Sequence, residues 1–114
     1  MMNRIAKFEK VSFEQFCSAV NKLCDEASAE ILRKWWEEIR LPTRATTGSA
    51  GYDFYAPFNF MIHEGKWITI PTGIRCRMEN GYALVCMPKS GLGFKHGVKL
   101  RNTIGLIDAK VMYL

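Results

Sequence analysis

The cysteines of this chain do not pair by spacing. Cys17, Cys24, Cys76 and Cys86 form no Cys-x-x-Cys unit, and neither His63 nor His96 stands at a zinc-like distance from them. That excludes zinc fingers and ribbons and leaves reduced, mostly buried thiols as the expectation. Long apolar runs are missing too: no stretch approaches the roughly 20 residues that a membrane helix needs. The opening MMNRIAKFEKVSF has scattered charges and neither the apolar centre nor the small-residue cleavage site of a secretory signal. The expected location is the cytoplasm, with no membrane partner. Charge of one sign is only mildly in excess, 16 Lys and Arg against 11 Asp and Glu for a net +5. This suits anionic ligands but lacks the dense basic clusters of a nucleic-acid binder, so no nucleic-acid partner is expected. There are no internal repeats or low-complexity tracts, and 114 residues that are 48% hydrophobic fit one compact domain.

Between residues 12 and 39 the apolar positions Phe13, Phe16, Val20, Leu23, Ala27, Ile31, Trp35 and Ile39 recur every three or four residues, which lays one apolar stripe along a helix. Ser12 followed by Gln15 has the form of a capping box, and Asp25 and Ser28 are candidate second caps, so one long helix and two short ones both fit. Of the paired Trp35 and Trp36, one is expected to face the core and the other to shield a seam. Pro42 ends the helical region. Beyond it the pattern changes to short β-type runs at 52–56, 67–70, 74–78, 82–87 and 103–107, separated by Gly, Pro and Asn-Gly signals. This spacing predicts an antiparallel sandwich or barrel. Asn80-Gly81 predicts a hairpin turn, because both residues tolerate positive φ.

Three Gly-containing stretches carry the candidate chemistry: Ser49-Ala-Gly-Tyr-Asp-Phe-Tyr-Ala56, Pro88-Lys-Ser-Gly-Leu-Gly-Phe-Lys-His-Gly97 and Asn102-Thr-Ile-Gly-Leu-Ile-Asp108. In the second, small residues let backbone amides approach an anion, Ser90 offers a hydroxyl, and Lys89 and Lys95 add charge, as a phosphate cradle requires. A plain polar turn fits it equally well. Asp53 lies in an otherwise apolar run, where an unpartnered carboxylate is costly. A hard cation held through water is one partner, and a lysine or a hydrogen-bonded turn is another. Asp108 follows an apolar run and would emerge at a strand end, placed to orient and deprotonate water. The Asn102 amide has both a donor and an acceptor, suited to a base edge.

In order and wording, Ala50-Gly-Tyr-Asp53, Ile70-Pro-Thr-Gly-Ile74, Pro88-Lys-Ser-Gly-Leu92 with Lys95-His-Gly97, and the run from Asn102 to Asp108 resemble the homotrimeric dUTP diphosphatases. The resemblance covers about residues 41–108. It implies a mainly β fold, a dUTPase-like jelly-roll or β-clip barrel, incomplete at its C-terminal side. A helical extension over 1–40 would precede a partial β-domain over 41–114. It also implies hydrolysis of dUTP to dUMP and pyrophosphate by Mg²⁺-assisted attack of water on the α-phosphorus, in a homotrimer whose sites lie between subunits. On that resemblance Asp53 holds Mg²⁺ through water, Lys89, Ser90, Gly91, Asn102 and Gly105 bind substrate, and Asp108 activates the attacking water. Lys89 stands where the family usually has arginine, which keeps the charge but loses the two-pronged fork.

The likeness stops abruptly after Asp108. Ala109-Lys110-Val111 replaces the family's continuation, and Tyr113 stands two places late for the tyrosine that packs on deoxyribose. The later arginine motif and glycine-rich arm are absent from the sequence, so a truncated chain with reduced or lost activity is expected. Two alternatives remain. One is a non-catalytic nucleotide-binding or regulatory protein. The other is a dCTP deaminase-like enzyme, which Ala109-Lys110 does not favour.

Overall fold

The computed structural model describes residues 4–109 and 112–113, without the side chains of Phe94, Met112 and Tyr113. The elements run β1 (Ala6–Lys10), α1 (Phe13–Leu23), α2 (Ala29–Glu37), β2 (Ile74–Met78), β3 (Leu84–Cys86), α3 (Ser90–His96), β4 (Gly105–Ile107) and β5 (Met112–Tyr113). Two compact units divide the chain, Phe8–Arg75 with Tyr113–Leu114, and Met1–Lys7 with Cys76–Met112.

The helical stretch is two helices, each started by a serine in extended conformation. The Ser12 hydroxyl accepts from the Gln15 N–H at 3.1 Å, and that of Ser28 from the Ile31 N–H at 3.2 Å. Each cap satisfies an amide that a helix start leaves without a partner. Glu14 and Glu30 stand in the first turns and Lys22 and Lys34 in the last, in line with the helix dipole. Asp25 caps nothing, since α2 begins four residues later.

The break at Cys24 corrects the single stripe. Because α2 restarts at Ala29, its inward face is reset, and Leu32 is buried while Leu23 and Ile31 are exposed. Val11, Phe16, Val20 and Leu32 form a core, with Phe13, Cys17, Ala27, Trp35, Trp36, Ile39 and Phe58 packed against it. Both tryptophans touch this core. Trp36 meets Phe13 edge-on and donates its indole N–H to the Val11 carbonyl at 2.9 Å, while Trp35 lies on Phe58. Gly73, at φ +75°, fits here for two reasons: its backbone is in the left-handed region, and an added Cβ would stand 2.5 Å from Ile39 Cδ1.

Among the described residues there are two small sheets, one with strand order β1-β2-β5 and one pairing β3 with β4. The sequence reading did not anticipate β1. Val11 N–H donates to the Gly73 carbonyl and Glu79 N–H to the Ile5 carbonyl, both at 2.9 Å, so β1 and β2 run in opposite directions. β2 has the expected bounds, whereas the runs 82–87 and 103–107 contract to β3 and β4. The runs 52–56 and 67–70 form no strand. Only Asp53 pairs, in an isolated bridge to Thr43, because a strand exists only where a second backbone completes its ladder. Asn80-Gly81 is a turn but not a hairpin turn. Only Gly81 has positive φ, and β2 and β3 belong to different sheets.

Candidate functional site

In the unit Phe8–Arg75, Thr43 and Asp53 exchange backbone hydrogen bonds, Asp53 N–H to the Thr43 carbonyl at 2.7 Å and Thr43 N–H to the Asp53 carbonyl at 3.2 Å. Tyr52 and Phe54 both pack edge-on against Phe8, with ring centroids 5.5 and 5.4 Å away. Alternation along extended backbone then turns the half-buried Asp53 away from that aromatic cluster. The apolar neighbours that made a carboxylate look costly in the sequence thus face the other way. Thr43 Oγ1 is hydrogen-bonded to the Tyr55 hydroxyl, and the Arg40 guanidinium lies 3.9 Å over the Tyr55 ring.

The other candidates lie in the unit containing Cys76–Met112. β3 and β4 pair antiparallel with Leu84 opposite Ile107, Val85 opposite Leu106 and Cys86 opposite Gly105. Lys89, Ser90 and Gly91 follow β3, and Asn102 precedes β4, so all four leave the same end of this ribbon. Asp108 leaves the opposite end, just beyond Ile107. All five are exposed.

The Pro88–Gly97 stretch is not simply a loop. It contains α3, capped by Lys89 without a side-chain bond and closed by Gly97 at φ +66°. Gly97 N–H donates to the Gly93 carbonyl, the single bond that ends a helix on a left-handed residue, and Val98 N–H donates to the Leu92 carbonyl. Leu92 and Gly93 both donate to the Lys89 carbonyl, so the amides of Ser90 and Gly91 precede the first intrahelical bonds. Between Asn102 and β4 the chain makes a tight turn that sequence reasoning missed. Thr103 has φ +72°, and Ile104 N–H donates to the Asn102 carbonyl at 2.8 Å. A β-branched residue in that region is strained by about 1–3 kcal/mol, and no residue-type signal announces it. Gly105 faces Cys86, where an added Cβ would come within 3.4 Å of Cys86 Cβ. Burial pushes the Cys76 thiol up, helped by nearby Cys86 and opposed by a backbone hydrogen bond from Lys7, and burial raises Cys86 as well. These are poorly activated thiols.

Among the described residues no group of three His, Cys, Asp or Glu side chains could cage a metal. The donor set still fits Mg²⁺ held through water, since that ion keeps much of its hydration and takes one or two carboxylates together with substrate phosphates. An open cleft of about 740 Å³, lined by Phe13, Glu14, Cys17, Ser18, Asn21, Lys22 and Arg33, contains none of the candidate residues. No helix among the described residues is long and apolar enough to cross a membrane.

The family model described as dUTPase matches residues 37–112, an interval that holds every candidate residue above. The chain belongs to the dUTPase family. It is similar to the deoxyuridine 5'-triphosphate nucleotidohydrolase of Paraburkholderia phymatum, 42% identical over 73 residues, which is 61% of this chain and 49% of that protein. The proteins of the same name from Shewanella baltica and Nitrosomonas eutropha are 47% identical over 75 residues and 48% over 71. These alignments cover 63% and 60% of this chain, and 49% and 48% of the relatives. The chain thus spans about half the length of the curated relatives it matches. β1, α1 and nearly all of α2 lie ahead of the matched interval. The short antiparallel pairings fit a β-rich family, and the Lys110, Val111 and Leu114 positions where the motif wording departs lie outside the described residues, as does the Tyr113 side chain.

Proposed function

We propose that this chain serves dUTP hydrolysis to dUMP and pyrophosphate, by attack of water on the α-phosphorus. The observation that carries this is the dUTPase match over 37–112, which takes in all three motif stretches in order. In this reading Ser90, Gly91 and Lys89 hold the phosphates, with Ser90 and Gly91 presenting amides not used by α3 and Lys89 a point charge. Asn102, set by the tight turn at Thr103, reads the uracil edge, and Gly105 contributes from the same end of the ribbon. Asp108 accepts the proton of the attacking water. Asp53 holds Mg²⁺ through its water shell, and the ion, when bound, neutralises charge on the triphosphate.

Asp108 and the Ser90–Asn102 end of the ribbon are separated by the length of β4, about 7 Å at some 3.3 Å per residue. A homotrimer in which sites form between copies belongs to the same reading and rests on the family match alone. The reading further places a jelly-roll or β-clip barrel over 41–114, with 1–40 as a helical extension, and locates the protein in the cytoplasm without nucleic-acid or membrane partners.

The test is pyrophosphate release by the purified chain with Mg²⁺ and dUTP, run beside UTP, dCTP, dTTP and an Asp108→Ala variant. Release selective for dUTP and reduced by a hundredfold or more in the variant is expected, on the scale of a lost general base. No release from folded chain would overturn hydrolysis by this chain, and selective dUTP binding in that case would favour a regulatory nucleotide-binding role.

A further inference from the structure

The loop between Thr43 and Asp53 closes on itself through their backbone bridge, yet little packs inside it. A Cβ added at Gly48 or Gly51 would meet nothing within 4 Å, and every residue from 44 to 52 is exposed except Ser49. Hydrogen bonds must therefore supply what packing does not. Ser49 N–H donates to the Thr46 carbonyl at 3.0 Å, Thr46 N–H to Ser49 Oγ at 3.1 Å, and the two hydroxyls are 2.9 Å apart. Arg44 completes the set. Its Nε–H donates to the Ser49 carbonyl at 2.9 Å and its Nη2 to the Thr47 carbonyl. Among the described residues Arg44 forms no ion pair, so its guanidinium serves here as a rigid fork of donors rather than as a partner for a carboxylate.

We propose that Arg44 is a positioning residue for Asp53: its guanidinium, bridging the Thr47 and Ser49 carbonyls, holds the loop in the shape that presents the Asp53 carboxylate to a metal–nucleotide complex. This rests on the reading of Asp53 as the residue that holds Mg²⁺ through water. Arg44 acts through the backbone and touches no reacting atom. Lysine cannot replace it, because a single ammonium on a flexible stem does not address two carbonyls in fixed geometry.

The experiment compares Arg44→Lys, Arg44→Ala and Ser49→Ala with the unaltered full chain in two measurements. The first is amide hydrogen exchange at Thr46 and Ser49 without ligand. The second is binding of Mn²⁺, as a paramagnetic substitute for Mg²⁺, together with α,β-imido-dUTP, read by electron paramagnetic resonance of the free ion. Both Arg44 variants should speed exchange at Ser49 and weaken Mn²⁺–nucleotide binding by about five- to tenfold, as for the loss of one or two exposed hydrogen bonds. Thermal midpoints should stay unchanged, and Ser49→Ala should move both readouts in the same direction by less. Full affinity in Arg44→Lys would show that charge rather than the fork matters and would overturn the proposal. So would unchanged exchange in both Arg44 variants, a result that needs no ligand to obtain. Asp53→Asn separates the two readings: if it leaves Mn²⁺–nucleotide binding intact, the role given to Asp53 fails, and the exchange data still decide whether Arg44 braces the loop.

Discussion

The unit Phe8–Arg75 and the unit carrying Cys76–Met112 differ in how they bury apolar surface. The first encloses Val11, Phe16, Val20, Leu32 and Ile74, whereas among the described residues of the second the only buried core side chain is Cys76. The contrast follows from patterning. α1 and α2 each present one apolar face to a core and a polar face to water. β3 and β4 are apolar on both faces, a pattern expected of strands covered on both sides. Their inner face, Leu84, Cys86, Gly105 and Ile107, is half-buried. Their outer face is open, with Val85 and Leu106 paired across the ribbon at 47% and 66% exposure, and Met87 and Ile104, opposite each other by the same register, at 68% and 49%. A two-stranded ribbon is marginal by itself. The helical residues ahead of the family match thus carry the better-formed core, while most of the motif residues stand on the part with the least packing of its own.

The largest effect that would test this contrast is Phe16→Ala, which should cost about 3–5 kcal/mol in urea unfolding; a cost under 1 kcal/mol would mean the helical core contributes little. Gly73→Ala should cost about 1–3 kcal/mol through its positive φ, part of the Ile39 contact being relieved by movement of that flexible side chain. For Cys76 the sign follows from its raised pKa. The folded state holds the thiol proton more tightly than the unfolded chain, so this contribution is complete below the unfolded pKa of about 9 and is lost as pH rises through the folded value. The thermal midpoint should fall above about pH 9, and less steeply in Cys76→Ala. The smallest effect is expected from Val85→Thr with Leu106→Thr, within about 0.5 kcal/mol because both side chains face water. A loss above 1 kcal/mol would show that this face is covered in solution.

Much was legible in residues whose signals are local. Ser12 announced the first helix start and Ser28 was one of two candidate second caps beside Asp25, β2 could be bounded from Ile74 to Met78, and the three motifs stand in linear order. Trp36 also fits an amphipathic reading, although its hydrogen bond to Val11 does not. Elements that depend on a distant partner were harder. β1, with three charged residues in five, is too charged to announce itself, and 52–56 has strand-like composition but pairs only at Asp53. Asn80-Gly81 turns without joining paired strands.

The candidate site divides along the same line. The candidates Asp53, Lys89, Ser90, Gly91, Asn102, Gly105 and Asp108 could be picked out before any fold was known, because side-chain type and motif spacing are properties of the chain. Contacts through space set the rest: Asp53 turns away from Phe8, Arg44 ties the loop before it, Thr103 takes a strained turn beside Asn102, and Asp108 leaves the far end of the ribbon. Each of these depends on which backbone groups meet across space, and hydrogen-bond pairing between distant segments is not written in local residue preferences.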